Sequence, residues 1–131
     1  MNVPLSALEA LRRVGETRFE VLAFYVFGSR AAGGERPDSD LDVGILYRER
    51  TPLAATLLLE EELEQATGLR VDVVDAARAN AFLALDIVRG ERVFCRDEDE
   101  ADRFDLYVLR RAGDLLPFER RRQEMLLGPP A

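Results

Sequence analysis

Histidine, lysine and tryptophan are all missing from this 131-residue chain, and cysteine occurs once. Without histidine there can be no Ser–His or Cys–His nucleophilic relay and no histidine-bound zinc. Cys95 has no partner for an internal disulfide and reads as a small hydrophobe closing a short strand. All 18 basic residues are arginines, set against 25 acids for a net charge of −7. With no basic excess to neutralise phosphates, direct nucleic-acid binding is not expected. Long apolar runs are missing too. The start, Met1-Asn2-Val3-Pro4-Leu5, has neither a basic leader nor a stretch able to span a bilayer, so a cytoplasmic location without membrane contact is expected.

What is present is an alternation of helical and strand patterns, the mark of an α/β sheet with helices packed over it. The length suits one domain over residues 1–131. A first helix is predicted from Val3 to about Arg18, with Leu5, Leu8, Leu11 and Val14 on one stripe. Val21–Phe27 reads as a buried strand, residues 29–39 as a loop or short helix, and residues 41–47 as a second strand. Thr51-Pro52 should open a helix that Gly68 closes, before a third strand from Leu69 to Val74. Asp75 is placed to cap a fourth helix through Phe82, Leu85 and Val88, stopped by Gly90. Arg92–Cys95 then forms a short edge strand. A helical segment spans about 97–127, broken at Gly113 and Pro117, and 128–131 form a loose tail.

Chemistry is concentrated between residues 28 and 42. The first strand ends on Gly28, where the chain must turn, and Ser29 follows with a hydroxyl and a backbone N–H suited to a phosphate oxygen. Asp40 and Asp42 open the next apolar run. Strand alternation sends both to one face, and Leu41, Val43 and Ile45 to the other. Like charges placed side by side repel unless a divalent cation lies between them. Either half alone is ordinary turn chemistry; together, each beside the right strand, they favour a magnesium–nucleotide site. Asp72, between Val71 and Val73, projects from the corresponding face of the third strand and is the third candidate ligand; strand parity turns the fallback, Asp75, away.

The run Phe27-Gly28-Ser29-Arg30-Ala31 followed by Pro37-Asp38-Ser39-Asp40-Leu41-Asp42 resembles the signature of the DNA-polymerase-β-like nucleotidyltransferase superfamily. Within it, the chain is most similar to the minimal nucleotidyltransferases (MNT) paired with HEPN proteins in toxin–antitoxin systems. The resemblance implies a mixed three- to four-stranded sheet flanked by helices. It further implies two magnesium ions on Asp40, Asp42 and Asp72, with ATP held by Gly28, Ser29 and Arg30. The implied reaction is transfer of AMP to a tyrosine of the cognate HEPN ribonuclease, which would be neutralised in a hetero-oligomer. Family members often carry arginine where this chain has Ala32, leaving Arg30 or Arg36 as the nearest substitutes.

Two other functions fit the same residues. A binding-only antitoxin would occlude a basic toxin surface without catalysis, and an aminoglycoside-type nucleotidyltransferase would act on a small molecule. A P-loop is excluded, because Gly34-Glu35 stands where Lys-Ser/Thr belongs. The HEPN toxin role is not expected, because HEPN ribonucleases rely on an Arg…His motif and this chain has no histidine. Asp97–Glu100 reads as a helix start favoured by the macrodipole, and Arg120-Arg121-Arg122 as a solvated helix face.

Overall fold

The computed structural model describes residues 1–32 and 40–127, apart from the side chains of residues 32, 119 and 127. The expectations for Arg36, for the turn at Pro37-Asp38-Ser39 and for the 128–131 tail lie outside the described residues. Four strands, β1 (Val21–Phe27), β2 (Leu41–Tyr47), β3 (Val71–Asp75) and β4 (Glu91–Cys95), form one sheet in the order β3-β2-β1-β4. β1 is antiparallel to β2 and β4, whereas β2 and β3 run parallel. The sheet is therefore mixed and four-stranded, flanked by helices on both faces.

One face packs against α1 (Leu5–Thr17) and α3 (Leu53–Thr67). There Leu11, Val14, Leu59 and Leu63 meet Phe24, Val26, Leu41, Val43, Ile45 and Val71. The other face packs under α4 (Ala81–Val88) and α5 (Glu98–Leu127), with Tyr25, Phe27, Leu46, Ile87 and Ala101 in contact. Both faces of β1 are covered, which is why all seven of its residues are apolar and buried. At the β3 edge, Glu64 and Glu60 of α3 accept the outward N–H groups of Val71 and Val73 at 3.1 and 2.9 Å. That edge is thus closed to further strand pairing.

Several boundaries differ from the sequence reading. The buried stripe of α1 is Ala7, Ala10, Leu11 and Val14, while Leu5 is exposed, because small alanines allow the helix to approach the sheet. Thr51 does not cap α3: its hydroxyl donates to the Glu49 carbonyl, and Pro52 occupies the cap position. Asp75 caps a separate 3₁₀ turn (Ala76–Arg78), and Asn80 caps α4 by accepting from Phe82 and Leu83 N–H. Gly90 follows α4 without a left-handed φ; only Gly28 and Gly68 have one among the described residues. Its role is close approach, since a Cβ there would collide with the Val26 carbonyl of β1. Finally, α5 is continuous over 30 residues with Pro117 inside it. The carbonyl that the proline ring crowds is four residues back, on Gly113, where no side chain stiffens the backbone. Beyond Ala112 none of the described side chains of α5 is buried, and Leu115, Leu116, Phe118, Met125 and Leu126 are exposed.

Candidate active site

β1 ends on Phe27, and the chain turns at Gly28 with φ 74° into α2 (Gly28–Ala32), a five-residue helix. Phe27 is the register partner of Asp42. A Cβ on Gly28 would collide with the Asp42 Oδ2, so the absent side chain makes room for that carboxylate. A left-handed φ and a steric need thus coincide at one residue. Asp42 and Asp72 are register partners on the parallel strands β2 and β3. Leu41, Val43 and Val71 enter the α1–α3 core, so the two aspartates rise together on the opposite, α4 face. Gly44, two residues along β2, lies under Ile87 of α4, whose Cγ2 would be 2.5 Å from a Cβ there. The helix covers the face up to Gly44 and leaves the Asp42 end open.

Burial pushes the Asp42 carboxyl above the usual carboxylate range, and the charges of Asp72 and Asp40 push it further. The three acids chosen from sequence therefore share one electrostatic neighbourhood. They are not equally placed. Asp42 is half-buried and Asp72 exposed, while Asp40 is more than half exposed, with its Oδ1 3.9 Å from Arg70 Nε. Among the described residues, no three acidic or thiol side chains stand together as a ready-made ion cage. The donor set still fits a hard divalent cation. It is all carboxylate oxygen, its members repel one another, and glycine keeps the space over Asp42 clear.

Ser29 is partly exposed at the first turn of α2. Arg30, expected as a nucleotide contact, lies inside the fold. It is 3% exposed, its Nη1 donates to the Asn2 carbonyl at 3.0 Å, and its own carbonyl accepts the Asn2 N–H at 2.7 Å. Its guanidinium ties the N-terminal segment to α2. Sequence reasoning missed a second border of the site. Phe27, Gly28 and Ala31 line a cleft of about 430 Å³ with Asp86, Arg89, Gly90 and Glu91. The available signal was the glycine in Val88-Arg89-Gly90-Glu91, read only as a helix stop.

Comparisons with known proteins bear on the family and the fold. The family model described as polymerase beta, nucleotidyltransferase matches residues 9–99. Protein adenylyltransferase MntA of Thermococcus cleftensis is 36% identical over 84 residues, covering 64% of this chain and 85% of that protein. A crystal structure of a toxin–antitoxin with AMP-PNP superposes with a TM-score of 0.80 at 18% identity, over 92% of this chain and 98% of the other. An MNT antitoxin in complex with the tri-AMPylated HEPN toxin of Shewanella oneidensis gives 0.74 at 17% identity, over 95% and 98%. At such identities the two structural likenesses speak for the fold. With the family model covering well over half of its residues, the chain belongs to the polymerase beta nucleotidyltransferase family.

Proposed function

We propose that the chain is a protein adenylyltransferase that moves AMP from ATP to a tyrosine hydroxyl of a cognate HEPN toxin and thereby silences it. The observation that carries this reading is the pairing of Asp42 with Asp72 beneath the Gly28 bend. The name of the Thermococcus relative and the AMPylated toxin bound to an MNT antitoxin support the choice of reaction and partner. The AMP-PNP in a structural neighbour supports ATP as the nucleotide.

Asp40, Asp42 and Asp72 would hold Mg²⁺, two ions in the full arrangement, which when bound offsets phosphate charge and eases ionisation of the attacking hydroxyl. The tyrosine oxygen forms a bond to the α-phosphorus, the bond from that phosphorus to the β-phosphate oxygen breaks, and pyrophosphate departs with the electron pair. Asp72, the more exposed member of the register pair, would complete the metal's shell or accept the tyrosine proton. Gly28 keeps the approach to Asp42 unobstructed, and Ser29 offers its hydroxyl to a phosphate oxygen. Asp40 gives up a weak, solvent-exposed ion pair with Arg70 to join the site, at a cost of no more than about 1 kcal/mol.

The test is incubation of the chain with Mg²⁺, α-labelled ATP and the HEPN protein, followed by peptide mapping. Label on a toxin tyrosine, with loss of ribonuclease activity, is the expected result. Protection of RNA that persists undiminished without ATP and Mg²⁺ would favour occlusion and overturn the adenylyl-transfer reading.

A further inference from the structure

With Arg30 committed to the N-terminal segment, the cation bordering the Gly28 bend among the described residues is Arg89, and we infer that it receives the pyrophosphate end of the nucleotide. This deepens the reading above and rests on it. Gly90 is pressed so closely on β1 that a Cβ there would strike the Val26 carbonyl and lie 3.0 Å from Phe27 Cβ. The close approach fixes Arg89, the preceding residue, beside the end of β1. Arg89 is exposed in the cleft it shares with Gly28, and its side chain takes no ion-pair or hydrogen-bond partner among the described residues.

Sheet order then sets a direction. Across β3, β2 and β1 and on to the α4–β4 turn lie Asp72, Asp42, Gly28 and Arg89, a row about 14 Å long at the usual strand spacing. In displacement at phosphorus, the attacking and leaving oxygens lie on opposite sides of the α-phosphate. The β3 side presents Asp72, a carboxylate able to take a proton and repel a polyanion. Arg70, just before β3, is paired with Asp40. The β4 side presents a guanidinium, whose planar fork suits phosphate oxygens. The acceptor therefore enters over β3, and pyrophosphate leaves over Gly28 toward Arg89. Asp86 and Glu91 line the same cleft and oppose a bare anion. They favour a magnesium-bound pyrophosphate of lower charge.

The test measures binding of ATP, pyrophosphate and AMP, each with Mg²⁺, to the full chain by calorimetry. Arg89→Ala should weaken ATP and pyrophosphate about 10-fold or more, the scale of one lost charge-assisted hydrogen bond, and leave AMP within about 2-fold. Arg89→Lys should recover part of the loss, and Arg110→Ala, the same charge change elsewhere, should alter none of the three. In transfer assays the KM for ATP should rise while the KM for the toxin holds. Thermal melts of each variant confirm folding. Unchanged ATP and pyrophosphate affinities in Arg89→Ala overturn the inference alone, as does an AMP loss equal to that for ATP or a raised toxin KM. A wild-type chain that binds neither ATP nor pyrophosphate overturns the adenylyl-transfer reading, and the inference with it.

Discussion

Asp40, Asp42 and Asp72 stand at one open end of the sheet, and Glu98, Asp102 and Asp105 stand along the first turns of α5. Both groups contain three carboxylates, yet among the described residues only the second is gathered around a shared cation. Arg92 of β4 reaches Glu98, Asp102 and Asp105 at 2.6, 3.0 and 2.7 Å. Beneath it the Tyr25 hydroxyl donates to Asp105 at 2.7 Å, and the guanidinium lies 5.6 Å from the tyrosine ring. Partial burial works against the Arg92 charge, but Tyr25 and the acids outweigh it and hold the guanidinium more firmly protonated. Burial, then Asp105, pushes the Tyr25 hydroxyl well above its usual range. The α5 cluster is therefore satisfied within the fold. At the sheet end, burial and neighbouring charge both act against Asp42, and the ion pair found there among the described residues is the weak contact of Arg70 with Asp40 at 3.9 Å. Among the described residues, what distinguishes the structural acid cluster from the candidate ion site is a counter-charge shared by all three acids.

The comparison breaks most visibly in activity. Asp42→Asn keeps the shape of the side chain and removes its charge, so AMP transfer should fall on the order of 10³-fold, about 4 kcal/mol in the barrier. Single-turnover label transfer at saturating ATP measures it. Arg92→Ala should leave transfer within a few-fold once folded protein is compared. Equal losses in the two variants would mean that the clusters do not differ as described.

Stability should show the reverse order. Arg92→Ala strands Asp105, about one quarter exposed, beside the buried Tyr25 hydroxyl, while Glu98 and Asp102 are mostly solvated and lose little. A loss of about 2 kcal/mol follows from leaving that inner pair without its charged partner. Urea unfolding with an unchanged m-value is the measurement, and a loss under about 0.5 kcal/mol would remove the structural role.

Gly28→Ala strikes the other cluster through geometry. It sets a Cβ against the Asp42 carboxylate and asks alanine to hold a φ of 74°. A destabilisation of about 1–2 kcal/mol is expected from the left-handed backbone, with transfer lost beyond what the unfolded fraction explains. Full activity in a folded variant would show that Asp42 does not need the space.

How much of this was legible beforehand follows from where local pattern suffices. β1 and β2 fall on their predicted residues because a seven-residue apolar run between a turn and a glycine has few alternatives. The common face of Asp42 and Asp72 is legible from strand parity, whereas Asp40 stands just before β2, and the register pairing of Asp42 with Asp72 required β2 and β3 to be parallel neighbours. Arg30 could not be placed from sequence, since its burial depends on Asn2, 28 residues away in the chain. Arg89 was hidden for a similar reason: Gly90 announces a stop, and only the approach to Val26 shows what the glycine is for. Gly113 and Pro117 misled together, because each reads as a break alone, while a glycine four residues before a proline leaves the ring room inside a continuous helix. The Arg92 cluster was seen only as the acidic start of a helix, its counter-ion being contributed by a strand.

The smallest effect sharpens the contrast most, because it compares the clusters through their protons. The Asp42 carboxyl titrates above its ordinary value in the fold and at that value in the unfolded chain. Between the two, the folded state holds more protons, so stability falls as pH rises through the window. The penalty is absent below the unfolded pKa, near 4, and complete above the folded one. Asp42→Asn never incurs it. The variant should match the wild type near pH 4 and exceed it toward pH 7, by under about 1 kcal/mol because half-buried charge is partly screened by solvent. Millimolar Mg²⁺ at pH 7 should then reverse the order, since an ion that binds the folded wild type stabilises it alone. Denaturant midpoints measured at both pH values, with and without the ion, read all four corners. An advantage for Asp42→Asn that ignores both pH and Mg²⁺ would trace to packing, and Asp42 would then resemble the satisfied acids of α5.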